Sequence, residues 1–258
     1  MYTPKQVHDN ARSVGEVKVA LPVGRLAVLA IAAGAYISLG ALLSVIIGFG
    51  CPGLTDANPG LQRLLSGLTF PIGLLLIVVL GGELFTGNNA ILMPGLVARR
   101  FSMLATLRNW TLVWLFNFVG ALAFIAALVH ATGLLVPEPW HSAIANVATA
   151  KVSMSWWTVF FKAVGANWCV CLAVWLALTA KTLTAKALGC WIPVMAFVAL
   201  GFEHCIANMF FIPAGMLAGA DITTAQMFTA NLIPATLGNI VGGALLVGAL
   251  NSYIHRDR

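Results

Sequence analysis

Charge is what this chain has least of. Of its 258 residues only 9% are Asp, Glu, Lys or Arg, and 8 acids face 14 bases. A water-soluble domain cannot cover its surface with so few charges, so lipid is expected to be the solvent for much of the chain. The length leaves no room for a sizeable soluble domain beside it. The formal charge of +6 is spread over scattered bases that build no basic face, which argues against a nucleic-acid partner. Cysteine chemistry is equally thin. Cys51, Cys169, Cys171, Cys190 and Cys205 form no CxxC pair, and Cys169 and Cys171 would point to different sides of a helix. No metal site, redox centre or cofactor is called for. Neither HExxH nor GxSxG occurs, and no second histidine lies near His204 in sequence, so an intramembrane enzyme stands only as the alternative from a different class. The paired Asn-Pro-Ala motif of water and glycerol facilitators is also missing; Asn58-Pro59-Gly60 falls in a loop. Residues 1–25 mix both charges and lack an apolar stretch with a cleavage site, so the first apolar segment is expected to stay as a membrane span.

Long apolar runs are what the chain has in their place. Charge-free windows cover residues 26–50, 64–82, 109–136, 163–180, 187–202 and 222–255. Crossing a ~30 Å hydrocarbon core takes about 20 apolar residues, which makes six candidate spans. Two need repair: between residues 64 and 98 only Glu83 is charged, and between 187 and 220 only Glu203. Each stretch is too long for a simple span and too short for a hairpin. The positive-inside rule decides in favour of one crossing each. That choice puts Lys5, Arg12, Lys18, Arg25, Arg99, Arg100, Arg108, Lys181, Lys186, Arg256 and Arg258 on the cytoplasmic side, 11 of the 14 bases. Arg63 and Lys151 fall in outside loops, and Lys162 sits at the outer end of the fourth span. The expectation is a single all-α membrane domain over residues 1–258, with six transmembrane helices, both termini cytoplasmic and a cytoplasmic N-terminal segment of residues 1–25.

The two long stretches then read as crossings interrupted in the middle. The first contains Gly81-Gly82-Glu83-Leu84-Phe85-Thr86-Gly87-Asn88-Asn89 and the second Gly201-Phe202-Glu203-His204-Cys205-Ile206-Ala207-Asn208. Each has Gly-x-Glu, an Asn five residues after the Glu, and then Pro94-Gly95 or Pro213-Ala214-Gly215; the glutamates are 120 residues apart. Asn117-Phe118-Val119-Gly120 returns as Asn239-Ile240-Val241-Gly242. Small-residue packing seams would explain one such stretch. Two at matched positions, each with a Glu, point to two homologous three-helix repeats, about 26–136 and about 156–255. An odd number of spans per repeat forces the second to insert upside down, with helices 2 and 5 broken at the midplane around a transport site. Irregular backbone at that depth is tolerated only where protein or a water-filled cavity satisfies it. The second half of each broken helix begins with unpaired N–H groups and a partial positive charge, which suits an anion. A cation carrier using the two Glu and the His as ligands is disfavoured on that ground. Glu83 and Glu203, the only acids inside spans, are expected to cap the breaks and to be paired or protonated.

Glu83-Leu84-Phe85-Thr86, followed by Gly201-Phe202-Glu203-His204-Cys205-Ile206-Ala207-Asn208-Met209-Phe210, resembles the formate/nitrite transporter family. The likeness extends over essentially the whole chain, through Asn167-Trp168-Cys169-Val170-Cys171-Leu172-Ala173-Val174-Trp175 and Asn231-Leu232-Ile233-Pro234. The continuation Phe211-Ile212-Pro213-Ala214-Gly215 is similar to the formate-channel branch. Cys205 stands where family members often have Ser.

The resemblance implies a homopentamer in the bacterial inner membrane, each protomer aquaporin-like with its own pore for formate, or alternatively nitrite or hydrosulfide. It implies His204 at the pore centre with Thr86 facing it, and apolar constrictions from Phe70, Leu74, Phe85, Val170 and Phe197. It also implies a polar network joining Lys151 to Glu203 and Asn167. Asn88, Asn208 and Asn239 are the further supporting polar residues read from the repeats. Shedding water is costly for a small carboxylate. A proton delivered at His204 would turn formate into formic acid and lower that cost, which makes the proton a second expected partner and conduction pH-dependent.

Overall fold

The computed structural model describes residues 1–255, and these are built from helices without strands. Arg256 and Arg258, expected on the cytoplasmic side, lie outside the described residues. Thr3 opens the first helix with a capping box: its hydroxyl accepts from Gln6 N–H at 3.3 Å, and Gln6 Oε1 accepts from Thr3 N–H at 2.9 Å. Helix α1 then spans Pro4–Ala20, and Pro22 separates it from α2, Val23–Phe49. A short turn at Pro52–Thr55 leads to α3, Pro59–Leu80. Next come α4, Phe85–Ile91, a further turn at Met93–Val97, and α5, Met103–His130. The second half of the chain contributes α6, Trp140–Ser153; α7, Trp156–Thr179; α8, Leu183–Ala199; α9, Cys205–Leu217; and α10, Thr224–His255.

Helices α2, α3, α5, α7 and α10 are each long and apolar enough to cross a membrane, and α8 and α9 are shorter apolar helices. Side-chain caps explain where several begin. Ser102, Ser155 and Thr182 each accept a main-chain N–H three residues ahead. The Ser102 cap starts α5 upstream of its charge-free window, so Arg108 is helical rather than in a loop. The Ser155 cap likewise takes Lys162 into α7.

Both interruptions expected from the sequence are present as gaps in the helical backbone. Gly81 ends α3 with φ 77°, and Gly201 follows α8 with φ 68°. Both are in the left-handed region that a residue with a side chain rarely adopts. At each, the following N–H reaches back over the last turn: Gly82 to Ile77 at 2.9 Å and Phe202 to Phe197 at 3.1 Å.

Two helix pairs frame the gaps. Helix α2 lies along α5, and α7 lies along α10. The repeated Asn-x-x-Gly is what brings them close. A Cβ on Gly120 would run into the Ile31 carbonyl, and one on Gly242 into the Val164 carbonyl. In lipid, where apolar area gains nothing by leaving a solvent that is itself apolar, this close backbone approach is a main source of helix–helix attraction. Gly242→Val is therefore expected to force α7 and α10 apart, at about 1–3 kcal/mol as an overpacking change. A lowered thermal midpoint of the detergent-purified protein, against an unchanged one for exposed Leu245→Val, would check this.

Candidate functional site

Each gap strands main-chain groups that a helix would have paired. One asparagine serves each. Asn117 on α5 donates from Nδ2 to Ala30 O at 2.7 Å and Glu83 O at 2.9 Å, while its Oδ1 accepts from Phe85 N–H at 3.0 Å. Asn239 on α10 repeats the pattern, donating to Ala163 O at 2.7 Å and Glu203 O at 3.1 Å and accepting from Cys205 N–H at 2.8 Å. A third pair of bonds matches as well: Glu83 N–H to Leu29 O at 3.3 Å, and Glu203 N–H to Lys162 O at 3.4 Å. The first N–H of α4 and of α9 is thus capped by an amide side chain. This corrects the expectation that these N–H groups would be unpaired.

The glutamates do not cap the breaks, which corrects that expectation; they lie beside the asparagine caps, buried and paired. Lys18 Nζ on α1 meets Glu83 Oε1 at 2.7 Å, and Lys151 Nζ on α6 meets Glu203 Oε1 at 2.8 Å. The second oxygen of each accepts from the Asn five residues on, Asn88 or Asn208, both at 2.7 Å. Those two asparagines in turn donate to Asn109 Oδ1 at 2.9 Å and Asn231 Oδ1 at 2.7 Å. The circuit closes on the lysine carbonyls, Asn109 to Lys18 O at 3.3 Å and Asn231 to Lys151 O at 3.0 Å. Taking two charges out of water costs several kcal/mol per ion, and such a pair persists only when the remaining lone pairs are also bonded. Here they are.

Between the two circuits, His204 of the second half meets Thr86 of the first. His204, the residue before α9, accepts Ala207 N–H on Nδ1 at 3.1 Å. With that lone pair committed, the ring proton sits on Nε2, which donates to Thr86 Oγ1 at 2.9 Å. The Thr86 hydroxyl proton is left available to another acceptor. Both side chains are buried, at 2% and 0% exposure; His204 lines one of two cavities, and Thr86 lines neither, although Gly87 beside it in the chain lines the other. One cavity, of about 500 Å³, is lined by His204, Phe70, Phe197 and Lys151 among others. The other, of about 530 Å³, is lined by Leu74, Gly82, Glu83, Gly87 and Lys18 among others. They share no lining residue. Phe70 meets Phe197 edge-on at 5.6 Å, and Phe197 stacks on the His204 imidazole at 5.8 Å, so aromatic rings close around the contact.

The remaining constriction candidates are buried but line neither cavity. Phe85 packs edge-on against Trp110 at 6.4 Å, and Val170 lies in the apolar core. Three expectations need correction. Arg63 is on a helix, not in a loop, because α3 begins at Pro59. Lys151 is on a helix, not in a loop, because α6 continues to Ser153. Asn167 does not join Lys151 and Glu203; its Nδ2 donates to Thr86 O at 3.2 Å, Asn89 Oδ1 at 3.1 Å and Asn239 O at 2.7 Å. It holds the Thr86 carbonyl and the carbonyl of Asn239 together. Lys18 and Asn109 were not singled out by the sequence. Asn109 carried a signal, since Asn109 and Asn231 are 122 residues apart, as are Asn117 and Asn239.

A family model described as formate/nitrite transporter matches residues 5–253. The chain is 41% identical to a probable formate transporter of Methanothermobacter thermautotrophicus over 269 aligned positions, covering 98% of this chain and 97% of that protein. It is 36% identical to the formate channel BtFdhC of Bacillus thuringiensis, covering 96% and 93%. Among solved structures, an FNT family ion channel superposes with TM-score 0.85 at 32% identity, over 97% of this chain and 98% of that one. A pentameric formate channel with formate bound does so with TM-score 0.81, also at 32% identity, over 91% and 98%.

Removing one member of a buried ion pair leaves the other uncompensated. Lys18→Met is expected to cost about 3–5 kcal/mol, and Glu83→Gln added to it to regain most of that. Denaturation of the two variants in detergent would read the difference directly.

Proposed function

The chain belongs to the formate/nitrite transporter family and is a multi-pass membrane protein of a transport family rather than an enzyme; from that premise we propose that it is a channel for small monovalent anions, with formate as the preferred one. The observation that carries this reading is the Thr86–His204 contact at 2.9 Å, with one cavity lined by His204 and another by Gly87, the residue after Thr86. An anion moving from one cavity to the other displaces the bond between His204 and Thr86 and meets two hydrogen-bond donors, the freed Nε2–H and the Thr86 hydroxyl, at the starts of two helices whose dipoles favour negative charge. Phe70, Phe197 and Leu74 flank the passage with apolar surface, so the ion sheds most of its water there. The donors replace part of that hydration.

In this reading six crossings form two inverted repeats, with both termini cytoplasmic and the two gaps near the bilayer midplane. The matched bonds of Asn117 with Asn239 and of Glu83 with Glu203 support the repeat relation. Helix α1 supplies Lys18 in one half, as α6 supplies Lys151 in the other. The protomers assemble as a homopentamer in a bacterial inner membrane, on the strength of the likeness to a pentameric formate channel. Nitrite and hydrosulfide, of the same charge and similar size, are the alternative substrates.

His204 also gives the pore a proton donor. In acid the neutral ring first takes a proton from the water-filled outer cavity, its Nδ1 releasing the Ala207 N–H. Formate that takes this proton from the imidazolium crosses the apolar flanks as formic acid and leaves the ring neutral again, so uptake responds to acid outside. Proteoliposomes are expected to take up radiolabelled formate faster than nitrite. Uptake of nitrite with no formate flux would move the protein to the nitrite branch. In the same vesicles His204→Ala is expected to lose the difference between mildly acidic and mildly alkaline buffers that the wild type shows. Equal rates for variant and wild type at both pH values would remove His204 from the mechanism.

A further inference from the structure

The cavity on the His204 side holds more positive charge than its ion pair accounts for. Among the described residues Glu203 is the only acid on its wall, and its two oxygens are engaged, by Lys151 on one side and by Asn208 and Asn231 on the other. Lys151 therefore brings no net charge to the cavity. Two further bases, Arg63 on α3 and Lys162 on α7, line the same wall. Among the described residues neither has an ion-pair or side-chain hydrogen-bond partner. Arg63 is exposed and Lys162 half-buried. The Lys162 carbonyl accepts the Glu203 N–H at 3.4 Å, which ties this residue to the strand of backbone that carries His204. The opposite cavity is different: beside the Lys18–Glu83 pair it has one more base, Lys186. Among the described residues, one mouth thus carries two uncompensated cations and the other carries one.

We infer that Arg63 and Lys162 are the residues that gather the anion at the outer mouth and set its half-saturating concentration, acting on the small carboxylate before it reaches His204. The inference rests on the anion-channel reading above. A cleft of low-dielectric walls focuses the field of such charges and raises the local concentration of an anion, by tenfold or more at low ionic strength. Neither base touches the Thr86–His204 contact, so their loss should change how often the site is filled and leave the crossing step alone. Salt should screen the effect, because both charges face water and the Debye length shrinks from about 30 Å at 0.01 M to about 3 Å at 1 M.

The test is initial-rate uptake of radiolabelled formate into proteoliposomes across a range of formate concentrations. It compares wild type, R63Q/K162Q and the charge-conserving R63K/K162R, at low ionic strength and in high potassium gluconate. At low ionic strength the half-saturating concentration of R63Q/K162Q should rise about tenfold with its maximal rate kept. The difference should collapse in high salt, and R63K/K162R should follow the wild type. An unchanged half-saturating concentration at low ionic strength would overturn the inference while leaving the channel standing. So would an equal rise in high salt or in R63K/K162R, since that marks a packing role. A wild type silent toward formate in both buffers would overturn the inference and the proposed function together.

Discussion

Two helices stop and restart inside a molecule whose surface is made for lipid, and each stop frees N–H and C=O groups that cannot be left unpaired there. Everything else near the site follows from how those groups are satisfied. One asparagine per gap takes the carbonyl of the Glu, a carbonyl on the neighbouring helix and the first N–H of the restarting helix. To reach all three, Asn117 and Asn239 must be held at the point where α5 and α10 press closest to α2 and α7. The glycines three residues on, Gly120 and Gly242, allow that approach. The break, the cap and the packing seam are one device, made twice.

The ion pairs are best understood as support for this device. A bare carboxylate beside a helix start would compete with any anion for the same donors. Lys18 and Lys151 neutralise the two glutamates, and Asn88 and Asn208 hold them in place. What joins the halves here is then the His204 Nε2–H bond to Thr86, whose own hydroxyl proton is left over, with both glutamates beside it paired. The Ala207 N–H on Nδ1 fixes the ring orientation that aims Nε2 at Thr86. Asn167 completes the arrangement from the opposite direction by holding the Thr86 carbonyl.

Much of this was legible in the sequence because charge is so rare in it. A lone Glu in a run of apolar residues stands out, and two of them 120 residues apart stand out as a repeat. The Asn that follows each Glu, and the Asn-x-x-Gly that follows later, were visible for the same reason. Lys18 was not, because α1 reads as an ordinary basic segment and only the fold turns one lysine of it inward. Lys151 was misread as a loop residue since the α6 sequence, with few long apolar side chains, lacks the density of a span. Asn167 was joined to the wrong partner. Its neighbours on α4 and α10 come from distant parts of the chain, and no local pattern indicates which of several buried amides it meets. Arg63 and Lys162 likewise looked like stray charges until one cavity wall brought them together.

The central claim is that the passage between the cavities admits negative charge, and current measurements test it most directly. With purified protein in a planar bilayer and a sodium formate gradient across it, the account predicts a reversal potential close to that of formate. A reversal potential at the sodium value would contradict it, and would mean that the two glutamates, not the helix starts and His204, govern what passes.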